Sequence, residues 1–159
     1  MFGLFKKKAT EEEFKAAKSD GSVYPGESIT VMQIQTESGG FGTAWINKKY
    51  KDFKFKEYCP FLFILKIDLS NITDEQRDIL DMSTIEDFFD ERMKEIGVSH
   101  FIARFVTDKG MDMIFYTEAN PEFEEVLNSL KSKNELGLEF EIDLNKSDLG
   151  WKSMKMVLK

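Results

Sequence analysis

The sequence reads CPFLFILKIDL at residues 59–69 and LEFEIDL at residues 138–144, and these two runs bound the stretch that decides the fold. Between them the apolar pattern changes from the period of a strand to that of a helix and back, in the order strand, helix, strand, strand, helix, strand. This order is the split βαβ signature. The sequence therefore predicts an α+β protein with a ferredoxin-like βαββαβ core at about residues 59–144.

The first and last strands of this core have different patterns. Residues 61–67 are apolar on both faces at their start, which predicts a strand buried centrally in the sheet. In residues 138–144, apolar side chains alternate with Glu139, Glu141 and Asp143. A charged outer row suits an edge strand that must not pair with another chain.

The two core helices carry start signals of their own. Ser83 with Glu86 matches a capping box, and the apolar stripe that follows ends at Gly97. Asn120 with Pro121 predicts the start of the later helix. We expect both helices on one face of a mostly antiparallel sheet.

The other sheet face is expected to need a cover, because apolar side chains of opposite parity point toward it. They are Leu62, Ile64, Ile102 and Val106. An N-terminal hairpin, the segment around Trp151, or a partner chain are the three candidates for this cover. Between the two middle strands, Gly110 is predicted to adopt a left-handed conformation in a short hairpin turn.

The N-terminal part is predicted to be separate from the main domain. Thr10 and Glu13 match a capping box before a short helix, and a linker follows, so residues 1–26 form a helix and linker. Residues 27–159 form a single α+β domain. That domain begins with an added N-terminal β-hairpin, which we place at residues 28–36 and 43–47.

The first residues do not match an export signal. Phe2, Leu4 and Phe5 precede three lysines, which is the reverse of the order in a signal peptide. We interpret them as a frayed terminus rather than a weak membrane hook. The longest apolar run is too short for a membrane span, so none is expected.

Charge and cysteine content narrow the function classes. The chain of 159 residues has 22 Lys+Arg against 29 Asp+Glu, a net charge of −7, which disfavours generic binding to phosphate backbones and predicts no DNA partner. A single cysteine allows no internal disulfide and suits a reducing compartment, so we expect a cytoplasmic location.

No catalytic or metal motif is present, and no cofactor is expected. With His100 and Cys59 as the only residues of their types, a Cys/His metal site cannot form. We interpret Cys59 as a small buried hydrophobe rather than a nucleophile paired with His100. The acidic cluster at residues 86–91 is interpreted as a solvated helix face near the helix N-terminus, in preference to a Mg²⁺ or Ca²⁺ site.

A basic-aromatic run occupies residues 48–56, where aromatic residues alternate with lysines. Stacking rings and lysines are the elements of single-stranded RNA binding. We favour instead a strand with its aromatics inward and its lysines outward, given the acidic total. Arg104 and Asp112 are predicted to form a structural cross-strand pair.

Several short motifs in this order resemble domain-of-unknown-function family 695. The match covers about residues 27–158 and rests on residues 100–107 (HFIARFVT), Gly110, Ile114-Phe115-Tyr116, Asn47, Tyr50, Phe53, Lys56, Tyr58, Pro60, Ile85-Glu86-Asp87 and Trp151. The chain departs from that family after the tryptophan, where Lys152, Ser153 and Met154 stand in place of an aromatic. The resemblance implies a bacterial cytoplasmic α+β protein without a known ligand. That family is also distantly similar to the B-type protein regulators of ribonuclease E, which act by binding a protein.

We therefore expect a non-enzymatic protein-binding or regulatory module with an acidic surface. Its partner is expected to be another protein, and a homodimer through a sheet face or edge is left open. One alternative is an enzyme with a carboxylate and lysine site of unknown reaction, and another is a weak single-stranded RNA binder. No catalytic residue is assigned. The candidate binding residues are Asn47, Tyr50, Lys56, Glu86, Asp87 and Arg104.

Overall fold

The computed structural model describes residues 6–159 as a mixed α+β protein with one six-stranded antiparallel sheet, which confirms the α+β class. The strands are β1 (Ile29–Gln35), β2 (Phe41–Asn47), β3 (Phe61–Asp68), β4 (Ser99–Val106), β5 (Gly110–Thr117) and β6 (Glu139–Asn145). The α-helices are α1 (Glu11–Asp20), α2 (Asp74–Ile79), α3 (Met82–Ile96) and α4 (Glu122–Lys133). Short 3₁₀ helices occupy Lys48–Asp52, Lys56–Tyr58 and Leu149–Met154.

The strands lie in the order β1-β2-β4-β5-β3-β6, and every neighbouring pair is antiparallel. The N-terminal hairpin β1-β2 joins the sheet beside β4. Strand β3 has a neighbour on each side, as its two-sided apolar pattern predicts. The two edges of the sheet are therefore β1 and β6.

One face of the sheet packs against the core helices. Alternate residues of β3, namely Phe63, Leu65 and Ile67, are buried against the apolar stripes of α3 and α4. Full burial of each such side chain contributes about 1.5–3 kcal/mol. The helix side chains in this cluster are Ile85, Phe89, Met93, Phe123, Leu127 and Leu130.

The chain itself covers the opposite face. The cover comes from α1, the 3₁₀ segments and the C-terminal segment, and its buried side chains are Phe14, Ala17, Val23, Tyr50, Phe53, Phe55, Trp151, Met154 and Leu158. The Trp151 segment is thus confirmed as a cover, whereas the hairpin extends the sheet instead. The two core helices α3 and α4 lie on one face, as expected, while α1 joins the cluster on the opposite face. The boundary at residue 26 stays a prediction.

A β-bulge in β4 changes which face its side chains meet. The pairing with β5 shifts between Phe101 and Ala103, so Ile102 and Ala103 both join the cluster opposite the core helices. Beyond the bulge the parity is reversed, and Val106 packs on the helix side. The prediction that Val106 faces the opposite side is therefore wrong.

One of the two predicted capping boxes is present and the other is not. The capping box of Thr10 and Glu13 is present, with Thr10 N donating to Glu13 Oε2 at 2.7 Å. The predicted box of Ser83 and Glu86 is wrong, because Asp81 caps α3 by accepting from Thr84 N at 2.8 Å. Gly110 is not left-handed either. Its lack of a Cβ is needed because a side chain there would collide with the Ile67 carbonyl of the neighbouring strand.

The expectation for Phe2, Leu4 and Phe5 lies outside the described residues. Within residues 6–159, no helix combines the length and the apolar character that a bilayer crossing requires.

Candidate functional site

The six candidate binding residues do not form one site. Asn47 ends β2, and Tyr50 and Lys56 belong to the segment that follows it and covers the face opposite the core helices. Glu86 and Arg104 meet on the helix side, where their side chains form an ion pair. Asp87 is exposed on α3.

Asn47 has a structural role at the point where β2 ends. Its side chain is buried, and Oδ1 accepts from the backbone amides of Ser28 at 3.0 Å and Lys49 at 3.1 Å. Its amide group donates to the Gly26 carbonyl at 3.4 Å. These bonds connect the start of the hairpin to the turn that follows β2. They use both polar atoms of the Asn47 side chain.

Tyr50 reaches into an aromatic cluster around His100. The Tyr50 hydroxyl lies 3.0 Å from His100 Nδ1, and both side chains are buried. Burial lowers the pKa of His100 to about 3 and raises the pKa of Tyr50. Both groups are neutral at pH 7, and a histidine with so low a pKa is poorly matched to general acid–base work at that pH. His100 Nε2 is buried without a hydrogen-bond partner in the described structure.

Trp151 holds the C-terminal segment against this cluster. Its ring stacks on Tyr116 with centroids 4.2 Å apart, and its indole Nε1 donates to the Cys59 carbonyl at 2.8 Å. Asp148 accepts from the Tyr116 hydroxyl, a pairing that no sequence signal indicated. Burial also raises the pKa of the Cys59 thiol, so its reading as a buried hydrophobe is confirmed.

The run at residues 48–56 forms 3₁₀ helices, not the predicted strand, but its orientation is as predicted. Tyr50, Phe53 and Phe55 are 4%, 9% and 2% exposed, so their rings offer no surface on which a base could stack. Of the lysines, Lys56 lies against the C-terminal segment, with Nζ 5.7 Å from the centroid of the Trp151 ring. Burial lowers the pKa of Lys56.

Lys56 also lines a pocket of about 590 Å³ on this face. The pocket draws its walls from two parts of the chain that are distant in sequence. Its lining consists of Lys51, Asp52, Lys56, Gly150, Trp151, Lys152, Lys155, Leu158 and Lys159. Five lysines around one aspartate are an unusual concentration in a chain of net charge −7.

The ion pair on the helix side is partly buried. The guanidinium of Arg104 lies 5.9 Å from the Trp45 ring centroid, and its partner is Glu86 rather than the predicted Asp112. Asp112 lies opposite Phe105 and Lys66 in the sheet register. Burial raises the pKa of Glu86, and Arg104 opposes that shift. Such a pair orients α3 on β4 and leaves neither group free for substrate.

The β1 edge is the most unusual surface of the sheet. Strand β1 reads ITVMQIQ and contains no charged residue. Val31 and, at the start of β2, Phe41 are each 66% exposed, while Ile29 and Met32 are also exposed. Uncharged, exposed edge strands are templates for pairing with another chain.

The direction of the free backbone groups follows from the hairpin bonds. Lys48 N donates to Ser28 O at 2.7 Å, and Thr36 N donates to Gly40 O at 2.8 Å. Because bonded positions alternate in an antiparallel pair, the even-numbered residues of β1 bond to β2. The amides and carbonyls of Ile29, Val31, Gln33 and Gln35 therefore point away from the sheet, toward any strand that joins it.

Within residues 6–159, no group of three or more His, Cys, Asp or Glu side chains is arranged to hold a metal ion. No protein-family model, curated protein or solved structure matches this chain. The resemblance to domain-of-unknown-function family 695 therefore stays a prediction.

Proposed function

We propose that this protein is a non-enzymatic protein-binding module that takes up an extended segment of a partner protein at β1. The observation that carries this proposal is the edge itself, which is unpaired in the described chain, uncharged, and exposes the apolar side chains of Ile29, Val31 and Met32. In this mode of recognition the backbone ladder supplies affinity and alternate side chains supply specificity. Val31 and Trp45 share a face of the hairpin and form an apolar surface for the side chains of the partner.

The flanking charges favour a partner with basic ends. Glu27 precedes β1 and Glu37 follows it, and both are exposed. If two copies paired in full overlap about Met32, Glu27 of one would lie opposite Glu37 of the other at both ends. Like charges directly opposite destabilise by about 0.2–1 kcal/mol per pair. A different protein, with an uncharged β-branched segment between Lys or Arg residues, suits the edge better than a second copy does.

The enzyme alternative receives little support from the geometry. Such a site would join Glu86 and Asp87 to Lys56 or Arg104, but Lys56 lies on the opposite sheet face from the Glu86–Arg104 pair. Asp87 is exposed and has no ion-pair partner within residues 6–159. Active sites need titratable groups convergent in one cleft.

The finer fold assignment and the family resemblance are part of the same proposal. The core strands lie in the order β4-β5-β3-β6, which supports a ferredoxin-like arrangement. Residues that carry the resemblance, among them Tyr50, Phe53, His100 and Trp151, meet in one aromatic cluster. Their meeting in one cluster supports the proposed kinship with that family, which is distantly similar to the B-type regulators of ribonuclease E, proteins that act by binding a protein. Fold alone does not carry function.

A peptide titration followed by amide NMR shifts tests the proposal. The probe has seven alternating valine and threonine residues, the length of β1, between two terminal lysines. We expect weak, saturable binding with the largest shifts at the amides of Ile29, Val31, Gln33 and Gln35. A control peptide with glutamates in place of the lysines is expected to bind more weakly because of Glu27 and Glu37.

The matched control variant is Val31→Pro, which removes an outward amide without touching the bonds between β1 and β2. It is expected to abolish binding of both peptides while the protein stays folded. Equal binding by wild type and Val31→Pro, or shifts confined to surfaces other than β1, would overturn the proposal. Concentration-dependent dimerisation through β1 in the absence of peptide would overturn the proposed partner protein and show that β1 pairs with a second copy of this chain.

A further inference from the structure

A second surface, which shares no lining residue with β1, has the chemistry of an anion site. The five lysines of the pocket come from residues 51–56 and 152–159, which only the folded chain brings together. None of the five forms an ion pair with a carboxylate of residues 6–159, whereas lysines such as Lys18, Lys94 and Lys131 elsewhere do. The one side-chain carboxylate of the pocket lining, that of Asp52, lies 3.6 Å from Lys6 Nζ.

Unpaired lysines gathered in this way repel one another, and an anion relieves that repulsion. In an acidic protein the remaining surface repels anions, so a local positive pocket also concentrates them where they can bind. The charge distribution therefore favours anion binding in this pocket over the rest of the described surface.

The pocket has a fixed floor. Trp151 is 1% exposed and has a left-handed backbone, with φ 57° and ψ 43°, directly after Gly150 with φ 65°. A bulky non-glycine residue in this region is uncommon, and such strained residues concentrate at functional sites. Lys56 is held over this floor, because its Nζ donates to the Lys51 carbonyl at 2.7 Å.

The lining also indicates the class of anion. The Trp151 ring is buried and Lys56 lies over it, so no ring is available to stack on a base or another aromatic ligand. Ammonium groups recognise phosphate as point charges. A volume of about 590 Å³ lies within the range of small-molecule sites and exceeds what one phosphate group fills.

We propose that the pocket between the 3₁₀ segment at residues 51–56 and the C-terminal segment at residues 150–159 binds a small anion with two or more linked phosphate groups. Lys56 and Lys152 hold opposite sides of that anion, and Lys155 neutralises further charge. The pocket lining includes no residue of β1, so Val31→Pro should leave phosphate binding unchanged.

Isothermal titration with tripolyphosphate, pyrophosphate and orthophosphate tests the proposal on the full chain. We expect one-to-one binding of tripolyphosphate, with orthophosphate at least about tenfold weaker. Lys56→Gln removes a charged hydrogen-bond donor to the phosphate. Because hydrogen bonds between charged groups are stronger than neutral ones, this variant should weaken tripolyphosphate binding by about tenfold or more. The double variant Lys152→Gln/Lys155→Gln should do the same, and since both side chains are exposed, it also serves if Lys56→Gln is unstable.

The matched control is Lys133→Gln, which removes the same charge from an exposed position on α4. It should leave the affinity for tripolyphosphate nearly unchanged. An equal loss in the control and the pocket variants would show diffuse attraction only and would overturn the proposal. Tighter binding of single-stranded RNA without terminal phosphates than of tripolyphosphate, lost in the pocket variants, would also overturn it in favour of a backbone-tracking groove.

Discussion

The two edge strands of this sheet, β1 and β6, differ in the charges that they present to another strand that could pair with them. Strand β6 carries Glu139, Glu141 and Asp143 between its apolar residues, while β1 carries no charge over its seven residues. Both have one row of backbone groups without a partner in the described chain. Charge is a common means of blocking an edge, so the contrast suggests that β6 is protected and β1 is left open.

The two edge strands also differ in how far their side chains are buried. At the β6 edge, Phe140 is buried and its ring lies 5.1 Å from that of Phe89 of α3. At the β1 edge, Val31 is 66% exposed and only Ile34 packs against a buried cluster. One edge is part of the core and the other is an extension of it. A strand that contributes little to folding is free to be optimised for binding.

The largest expected effect tests whether β6 belongs to the core. Phe140→Ala should lower the free energy of unfolding by about 3–5 kcal/mol, because it opens a cavity against α3. Val31→Ala at the other edge should change it by less than about 0.5 kcal/mol. Urea denaturation of the two variants provides the comparison, and similar losses would contradict the distinction between the edges.

The next effect concerns His100, which lies in β4 outside the stretch that pairs with β2. Its pKa of about 3 in the folded protein lies below its ordinary 6.5. Above pH 6.5 His100 is neutral in both the folded and the unfolded state, so its contribution to stability is fully present. As the pH falls from 6.5 toward 3, His100 binds a proton in the unfolded state but not in the folded state. Stability should fall by up to about 1.4 kcal/mol per pH unit in that window.

The measurement is the free energy of unfolding in urea at pH 7, 6 and 5, for wild type and His100→Gln. The variant should lose part of the slope between pH 6.5 and 5. A wild-type slope unchanged by the substitution would mean that His100 stays accessible to protons in the folded protein.

A smaller effect tests the direction of the β1 backbone groups. Met32→Pro removes an amide that bonds to β2 and should cost about 1–3 kcal/mol of stability. Val31→Pro removes an amide that points outward and should cost clearly less. Thermal unfolding of the pair distinguishes them, and the reverse order would place the free groups at the even-numbered positions.

The smallest effect converts the protected edge into an open one. Replacing Glu139, Glu141 and Asp143 together with threonine removes the charged row, and each like-charge repulsion relieved is worth about 0.2–1 kcal/mol. In a Val31→Pro background, the triple variant should self-associate more strongly in sedimentation equilibrium than Val31→Pro alone. A monomer at every concentration would show that charge is not what keeps β6 unpaired.

Much of the framework could be predicted from local patterns. The alternation at residues 138–144 specifies both a strand and its edge position, and the two-sided apolar run of β3 specifies a strand with two neighbours. The cap at Thr10 is predictable because a capping box is local in sequence. Each of these signals acts within a few residues.

What could not be predicted depends on residues far apart in the chain or on one-residue shifts. The bulge near Ile102 reverses the parity that placed Val106 on the wrong face. Neighbouring strands predict Asp112 as the partner of Arg104, whereas α3 supplies Glu86. The lysine pocket joins Lys56 to Lys152 across nearly a hundred positions, a proximity that only the Trp151 cover creates.

Hydrogen exchange of the β1 amides tests the central claim most directly. In the free protein, the amides of Ile29, Val31, Gln33 and Gln35 should exchange fast while those of Thr30, Met32 and Ile34 are protected. Saturation with the lysine-ended peptide should slow the first group and leave β6 unchanged. Uniform exchange along free β1, or protection by the peptide at β6 instead of β1, would contradict the account.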